Sequence, residues 1–107
     1  MHEGGANWNG VVIESKPGSD VKATASGKLA FSDWFRSLGQ LVIVDHGDGY
    51  MSLYGHNQEL YKDSGDDVEA GEVIAAVGDT GGRVKTGLYF EIRQNGIAED
   101  PQLWCRN

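Results

Sequence analysis

Residues that define several common protein classes are scarce in this sequence. Cys105 is the one cysteine among 107 residues, which excludes an intramolecular disulfide and any zinc site built from two or four cysteines. Its place near the end of the chain is a poor setting for a catalytic thiol. No apolar run approaches the roughly 20 residues that span a bilayer, and residues 1–5 lack the apolar segment of a signal peptide. We therefore expect a domain that does not insert into a membrane.

Basic residues are also few. Nine lysines and arginines stand against sixteen aspartates and glutamates, which gives a formal net charge of −7. Nucleic acids and anionic membrane surfaces both reward clustered Lys and Arg, so neither is expected as a main partner. The acidic balance is itself accounted for by solubility.

No stretch of fifteen residues sustains the 3.6-residue period of a helix. Instead, sixteen glycines and two prolines separate short runs rich in Val, Ile, Leu, Tyr and Phe. This spacing predicts an all-β, mainly antiparallel fold, either a sandwich or a barrel. The length supports one domain with one modest core, and we expect a flexible tail over residues 1–7, the domain over residues 8–107, and a monomer.

Two runs mark the predicted centre of the sheet. Residues 40–45 form the most apolar run and predict a central strand, with residues 50–54 as its hairpin partner. His46 is expected in the turn between them, where the dipeptide Asp48-Gly49 is a strong hairpin signal. Residues 32–38 predict a loop or a single helical turn.

Residues 87–93 alternate between two faces of a predicted strand. Leu88, Phe90 and Ile92 share one face, which we expect to be buried, while Tyr89 and Arg93 share the other. The same reasoning predicts that, on the strand that begins at residue 50, Leu53 lies in the core. Tyr54 and His56 are then expected on the usable face.

A series of motifs in register along nearly the whole chain, from about Trp8 to Trp104, resembles the lysostaphin-type (LytM) zinc peptidases. The resemblance rests on Val42-Ile43-Val44-Asp45-His46-Gly47, Ser52-Leu53-Tyr54-Gly55-His56, Gly78-Asp79-Thr80-Gly81, Phe90-Glu91-Ile92-Arg93 and Asp100-Pro101. It implies the LytM/lysostaphin-type peptidase-like β-sandwich.

The resemblance also implies that the zinc site is lost. The positions of the three zinc ligands fall on Trp8, Val12 and Tyr89, and that of the catalytic base falls on Gly87. A catalytic zinc needs three protein ligands and one open position, and of the family's site residues only His56 remains. We therefore expect no metal, no cofactor and no catalysis.

A scaffold that keeps its framework and loses its ligands resembles the degenerate LytM domains of the EnvC and NlpD type. That subgroup implies a non-catalytic activator of periplasmic N-acetylmuramoyl-L-alanine amidases, which split septal peptidoglycan during cell division. It also implies an N-terminal coiled coil, absent from this sequence, that links the full-length protein to the FtsEX complex.

Loss of the ligands is expected to leave an aromatic-lined groove suited to protein docking. By register, the predicted lining comprises Trp8, Asn9, Leu38, Leu41, Tyr54, His56, Tyr89 and Arg93. Structural roles also account for four of these residues: Trp8 and Tyr89 as space-filling groups, Arg93 as an ion-pair partner of Glu91 or Asp45, and His56 as a retained hydrogen-bonding group. Two other functions stay open, a peptidoglycan-binding module without activator role and a weak metallopeptidase.

Overall fold

The computed structural model describes residues 10–82, 85–94 and 97–99, and within them the regular structure is almost entirely β-strand. One turn of 3₁₀ helix, Arg36–Leu38, is the exception. The strands are β1 (Val11–Glu14), β2 (Asp20–Lys22), β3 (Gly27–Trp34), β4 (Gln40–Gly47), β5 (Tyr50–Leu60), β6 (Asp67–Val68), β7 (Val73–Val77), β8 (Gly87–Gln94) and β9 (Ile97–Glu99). The predicted all-β, mainly antiparallel fold is confirmed. The predicted tail over residues 1–7 lies outside the described residues, as do Trp104 and Cys105.

The strands pair in the order β1-β8-β5-β4-β3-β6, with β9 on β8 and with β7 between β2 and β5. Strand β5 has 11 residues and belongs to both parts of this arrangement. Its segment from Tyr50 to Gly55 lies between β4 and β8, whereas Asn57, Glu59 and Leu60 pair with β7. The sheet therefore folds over itself at the middle of β5 and forms two layers.

The main core lies between those layers. It comprises Val21, Ala23, Leu29, Val42, Val44, Tyr54, Val68, Ile74, Ala75, Val77, Phe90 and Ile92. The alternation of β4 and β8 supplies much of it, because every second residue of each strand points inward. Removal of these side chains from water is the main stabilising term of the fold.

A second apolar cluster lies on the opposite, outer face of the central strands and comprises Leu38, Leu41, Leu53 and Tyr89. The predicted faces of β5 are therefore wrong: Leu53 lies on the outer face and Tyr54 lies in the main core. Burial of Tyr54 is tolerated because its hydroxyl oxygen lies 2.7 Å from Ser52 Oγ and accepts a hydrogen bond from the Thr24 N–H at 3.1 Å. A buried hydroxyl is costly only where it lacks such partners.

Two predicted boundaries also change. Strand β3 continues through Trp34, so the expected loop is confined to the residues after it. His46 belongs to β4, and its imidazole lies 2.8 Å from the Ser26 carbonyl and 2.7 Å from Ser52 Oγ. The predicted Asp48-Gly49 turn is confirmed, with positive φ at both residues, as a tight hairpin requires. No described helix is long and apolar enough to cross a membrane.

Candidate functional site

Strand β8 presents three polar side chains in succession on the outer face. Tyr89, Glu91 and Arg93 are each two residues apart, so the pleat directs them to the same side. The Tyr89 hydroxyl donates to Glu91 Oε1 at 2.5 Å, and Arg93 Nε donates to Glu91 Oε2 at 2.5 Å. Both are hydrogen bonds to a carboxylate, the stronger kind. One carboxylate therefore connects all three residues.

Tyr89 is also tied to the first strand. Its hydroxyl accepts a hydrogen bond from the Gly10 N–H at 3.0 Å, and the residue is 5% exposed. A Cβ at Gly10 would lie 2.6 Å from Tyr89 Cζ and 2.5 Å from the Phe90 carbonyl oxygen, so this contact requires a glycine. Burial, followed by the hydrogen bond to Glu91, raises the pKa of Tyr89 well above its ordinary value. The phenol is therefore neutral at physiological pH.

An open apolar cleft of about 340 Å³ lies beside this hydrogen-bonded group. We call it the outer cleft. Its lining residues are Phe31, Phe35, Leu41, Ile43, Met51, Leu53 and Arg93. Phe31 and Phe35 meet edge to face with ring centroids 5.9 Å apart, and the Arg93 side chain is 26% exposed. The result is an apolar surface with one cationic side chain in its lining.

The structure gathers some of the predicted groove residues and separates others. Leu38, Leu41 and Tyr89 share the outer apolar cluster, and Leu41 and Arg93 line the outer cleft. Tyr54 lies on the opposite face, in the main core. Trp8 and Asn9 fall outside the described residues.

His56 lies at the fold of β5. Its φ of 64° is in the left-handed region that few residues other than glycine adopt. This conformation places the imidazole edge-on to Tyr89, with ring centroids 6.1 Å apart. Nδ1 lies 2.7 Å from the Thr80 carbonyl oxygen, which as an acceptor fixes the proton on Nδ1. His56 is therefore buried beside Tyr89 and held by the glycine-rich loop.

Comparison with known proteins decides the family. The profile of peptidase family M23 matches residues 6–101. The chain belongs to this family. The fold agrees: the catalytic domain of lysostaphin from Staphylococcus simulans superimposes with a TM-score of 0.85 at 29% identity, over 97% of this chain and 82% of that one. The domain described here is therefore an M23 domain with the LytM/lysostaphin architecture.

Two curated relatives of the M23 domain are named as activators. The M23 domain is 46% identical over 102 residues to the murein hydrolase activator EnvC of Escherichia coli. This match covers 95% of this chain and 24% of EnvC. The M23 domain is also 37% identical over 93 residues to the murein hydrolase activator NlpD of the same organism. That match covers 86% of this chain and 24% of NlpD. The M23 domain thus spans about a quarter of the length of these relatives.

The residues at the inferred ligand positions of the M23 domain do not fit a zinc ion. Val12 lies opposite Tyr89 in the β1–β8 pairing and carries no donor atom. The Tyr89 hydroxyl is already engaged by Gly10 and Glu91. Across the described part of the chain, no three His, Cys, Asp or Glu side chains are grouped so that they could hold a metal ion.

Most of the outer cleft lies outside the predicted groove. The predicted groove did not include Phe31, Phe35, Ile43 or Met51, and Leu53 was expected in the core. A signal was present, since residues 41–44 are apolar without a break. A strand that is apolar on both faces is covered on both faces or exposes an apolar surface, and here the second face is the outer cleft.

Proposed function

We propose that this M23 domain is a non-catalytic activator of periplasmic N-acetylmuramoyl-L-alanine amidases, and that it acts in septal peptidoglycan splitting during cell division. Two relatives named as murein hydrolase activators support the activator role. The residues at the inferred ligand positions, Trp8, Val12 and Tyr89, support the absence of catalysis, because they offer no set of three zinc ligands.

The outer cleft is the structural feature that best supports the proposed mode of action. Its lining is apolar apart from Arg93, and it is open to solvent. Exposed apolar surfaces of this kind mark sites of protein interaction, and aromatic residues and Arg are enriched among the residues that dominate binding energy. An amphipathic helix laid into an apolar groove is a common recognition mode. We infer that the outer cleft receives such a helix from the amidase.

Activation follows if the bound helix is the one that otherwise blocks the amidase's own zinc site. The domain then binds the displaced form of the helix and has no contact with the blocking form. This differential affinity shifts the amidase toward its open state, by about tenfold for each 1.4 kcal/mol of difference. A net charge of −7 adds long-range attraction toward a basic patch on the amidase.

The same relatives support proposals about the location and partners of the full-length protein. We infer a periplasmic location, because both named activator relatives act on murein hydrolases. We also infer that an N-terminal coiled coil connects the full-length protein to FtsEX, and that the domain itself is a monomer. Sedimentation of the purified domain and co-purification of the full-length protein with FtsEX test these two points separately.

A matched pair of substitutions tests docking through the outer cleft. Ile43→Glu puts a charge on the cleft lining, and Ile13→Glu puts the same charge on β1, where Ile13 is exposed outside the cleft. We expect Ile43→Glu to weaken amidase binding by about tenfold or more, measured by biolayer interferometry, and Ile13→Glu to leave it unchanged. Equal amidase affinities of the two variants would contradict docking through the outer cleft. Binding to purified sacculi without binding to an amidase would favour the peptidoglycan-binding module.

A further inference from the structure

Glu91 combines two properties that rarely occur together. It lies on the outer face of β8, next to residues of the candidate docking surface, yet its side chain is completely buried. Both carboxylate oxygens are used within the domain: Oε1 accepts from Tyr89 and Oε2 accepts from Arg93. A buried carboxylate is tolerated only when paired and hydrogen-bonded in this way. A partner protein therefore has no access to Glu91.

The two neighbours of Glu91 have few ways to move while these hydrogen bonds persist. Tyr89 is held from two directions, by Glu91 and by the Gly10 N–H. Arg93 has a long side chain with several rotatable bonds, and the bond from Nε fixes the guanidinium against β8, where it lines the outer cleft. An arginine ordered before binding loses less conformational entropy when a partner docks.

We propose that Glu91 is a positioning residue for docking, which holds the Tyr89 ring in the outer apolar cluster and sets the Arg93 guanidinium in the orientation that the partner meets. The inference rests on the proposed function, since it assumes that a partner occupies the outer cleft. Glu91 itself contributes no contact to that partner. Its effect on binding passes through Tyr89 and Arg93.

Replacement by glutamine isolates this role from simple packing. Gln has nearly the same shape as Glu, but its amide offers one acceptor oxygen and one donor nitrogen. The Arg93 guanidinium can only donate, so the amide oxygen of the substituted side chain would have to face it. The hydroxyl of Tyr89 then loses its acceptor. If the amide turns the other way, Arg93 loses the acceptor of its Nε–H instead. Either orientation removes one of the two hydrogen bonds that Glu91 accepts.

The experiment compares wild type, Glu91→Gln and a control, Glu59→Gln, which makes the same charge change at an exposed position of β5. The first measurement is the ¹H–¹⁵N spectrum of the Arg side chains, which needs no partner. We expect a slowly exchanging Arg93 Nε–H signal in wild type and in Glu59→Gln, and faster exchange in Glu91→Gln. The second is amidase affinity, which we expect to fall about two- to tenfold in Glu91→Gln alone, because a side chain released within the domain must then be ordered when the partner docks.

The outcomes separate this inference from the proposed function. Wild-type affinity in Glu91→Gln, with faster exchange at Arg93, would overturn the positioning role and leave the proposed function in place. Absence of amidase binding by wild type would overturn the proposed function and with it the docking role of Glu91. If Glu91→Gln does not fold, Tyr89→Phe takes its place, because it removes one hydrogen bond and keeps the ring. It too is expected to weaken amidase binding, and unchanged affinity would count against the inference.

Discussion

At the scale of single residues, the site depends on which polar atoms are satisfied inside the protein. Tyr54 and Tyr89 show this on opposite faces of the sheet. Each is almost completely buried, and each has a hydroxyl with two partners, Ser52 and Thr24 for Tyr54 and Gly10 and Glu91 for Tyr89. Alternation assigned the β8 side chains to the correct faces, although Tyr89 and Glu91 on the expected usable face are buried, and on β5 it assigned Leu53 to the core. The sequence does not show that the Tyr54 hydroxyl has hydrogen-bond partners within the core. It therefore could not predict that Tyr54, and not Leu53, lies in the core.

Burial of Tyr89 predicts a specific loss of stability at alkaline pH. Its pKa in the folded state lies above the ordinary value of 10.0, so above about pH 10 the unfolded chain binds fewer protons than the folded domain. The free energy of unfolding therefore falls as pH rises through this range, and the contribution of Tyr89 is fully present below it. We expect urea denaturation at rising pH to give a shallower decline for Tyr89→Phe than for wild type.

Tyr61→Phe serves as the control for that measurement, because Tyr61 is exposed and its replacement removes a phenol without touching the site. Lys62, whose pKa is raised by its hydrogen bond to Glu72, adds a decline of the same sign in every variant, so only differences between variants are informative. Identical slopes for Tyr89→Phe and Tyr61→Phe would show that Tyr89 does not titrate differently in the folded domain.

At the scale of strands, β4 and β5 each have two apolar faces, one that packs in the main core and one that lines the outer cleft. The inner residues Val42 and Val44 belong to the main core, whereas Ile43 and Met51 line the outer cleft. The apolar runs and the hairpin turn made these strands predictable. The end of β3 was not, because Ser32-Asp33-Trp34 has the polarity of a loop. Pairing with β4, where Trp34 lies opposite Gln40, extends the strand, and such tertiary pairing overrides local preference.

Because the two faces have different roles, substitutions on them are expected to separate effects on the stability of the domain from effects on amidase binding. Ile92→Ala removes a fully buried core side chain and is expected to lower the free energy of unfolding by about 2–5 kcal/mol. Met51→Ala removes a half-buried side chain of the cleft and is expected to cost about 1 kcal/mol of stability but about tenfold in amidase affinity. Chemical denaturation and calorimetric titration of the two variants check this. A Met51→Ala variant that loses stability and keeps affinity would place Met51 among the structural residues.

At the scale of the whole domain, the family could be inferred from the glycine-rich motifs and the fold followed from it. The shape and full lining of the outer cleft could not be inferred, because it is formed by residues from β3, β4, β5, β8 and the segment after β3. Its shape depends on how far apart these elements are held, and that distance is fixed by packing that no short motif encodes. In the structure, two of the inferred ligand positions, Val12 and Tyr89, lie opposite each other on the paired strands β1 and β8.

The proposed loss of the metal site predicts that stability is independent of zinc. A structural or catalytic zinc would stabilise the folded state by binding it selectively, and the described residues hold no group of ligands for one. We expect the melting temperature of the purified domain to be the same with and without EDTA, and elemental analysis to find zinc far below one equivalent per chain. Lysostaphin, which shares the fold, provides the comparison. One equivalent of zinc, with a fall in melting temperature on chelation, would contradict the inferred ligand positions.

We propose that this domain activates an amidase without cutting peptidoglycan itself. Release of dye from labelled murein by a purified candidate amidase, with and without the domain, tests it most directly. We predict that the domain alone releases no dye, that the amidase alone releases little, and that the mixture releases much more, with Ile43→Glu reducing the increase and Ile13→Glu preserving it. Dye release by the domain alone, or a mixture no more active than the amidase, would contradict the account.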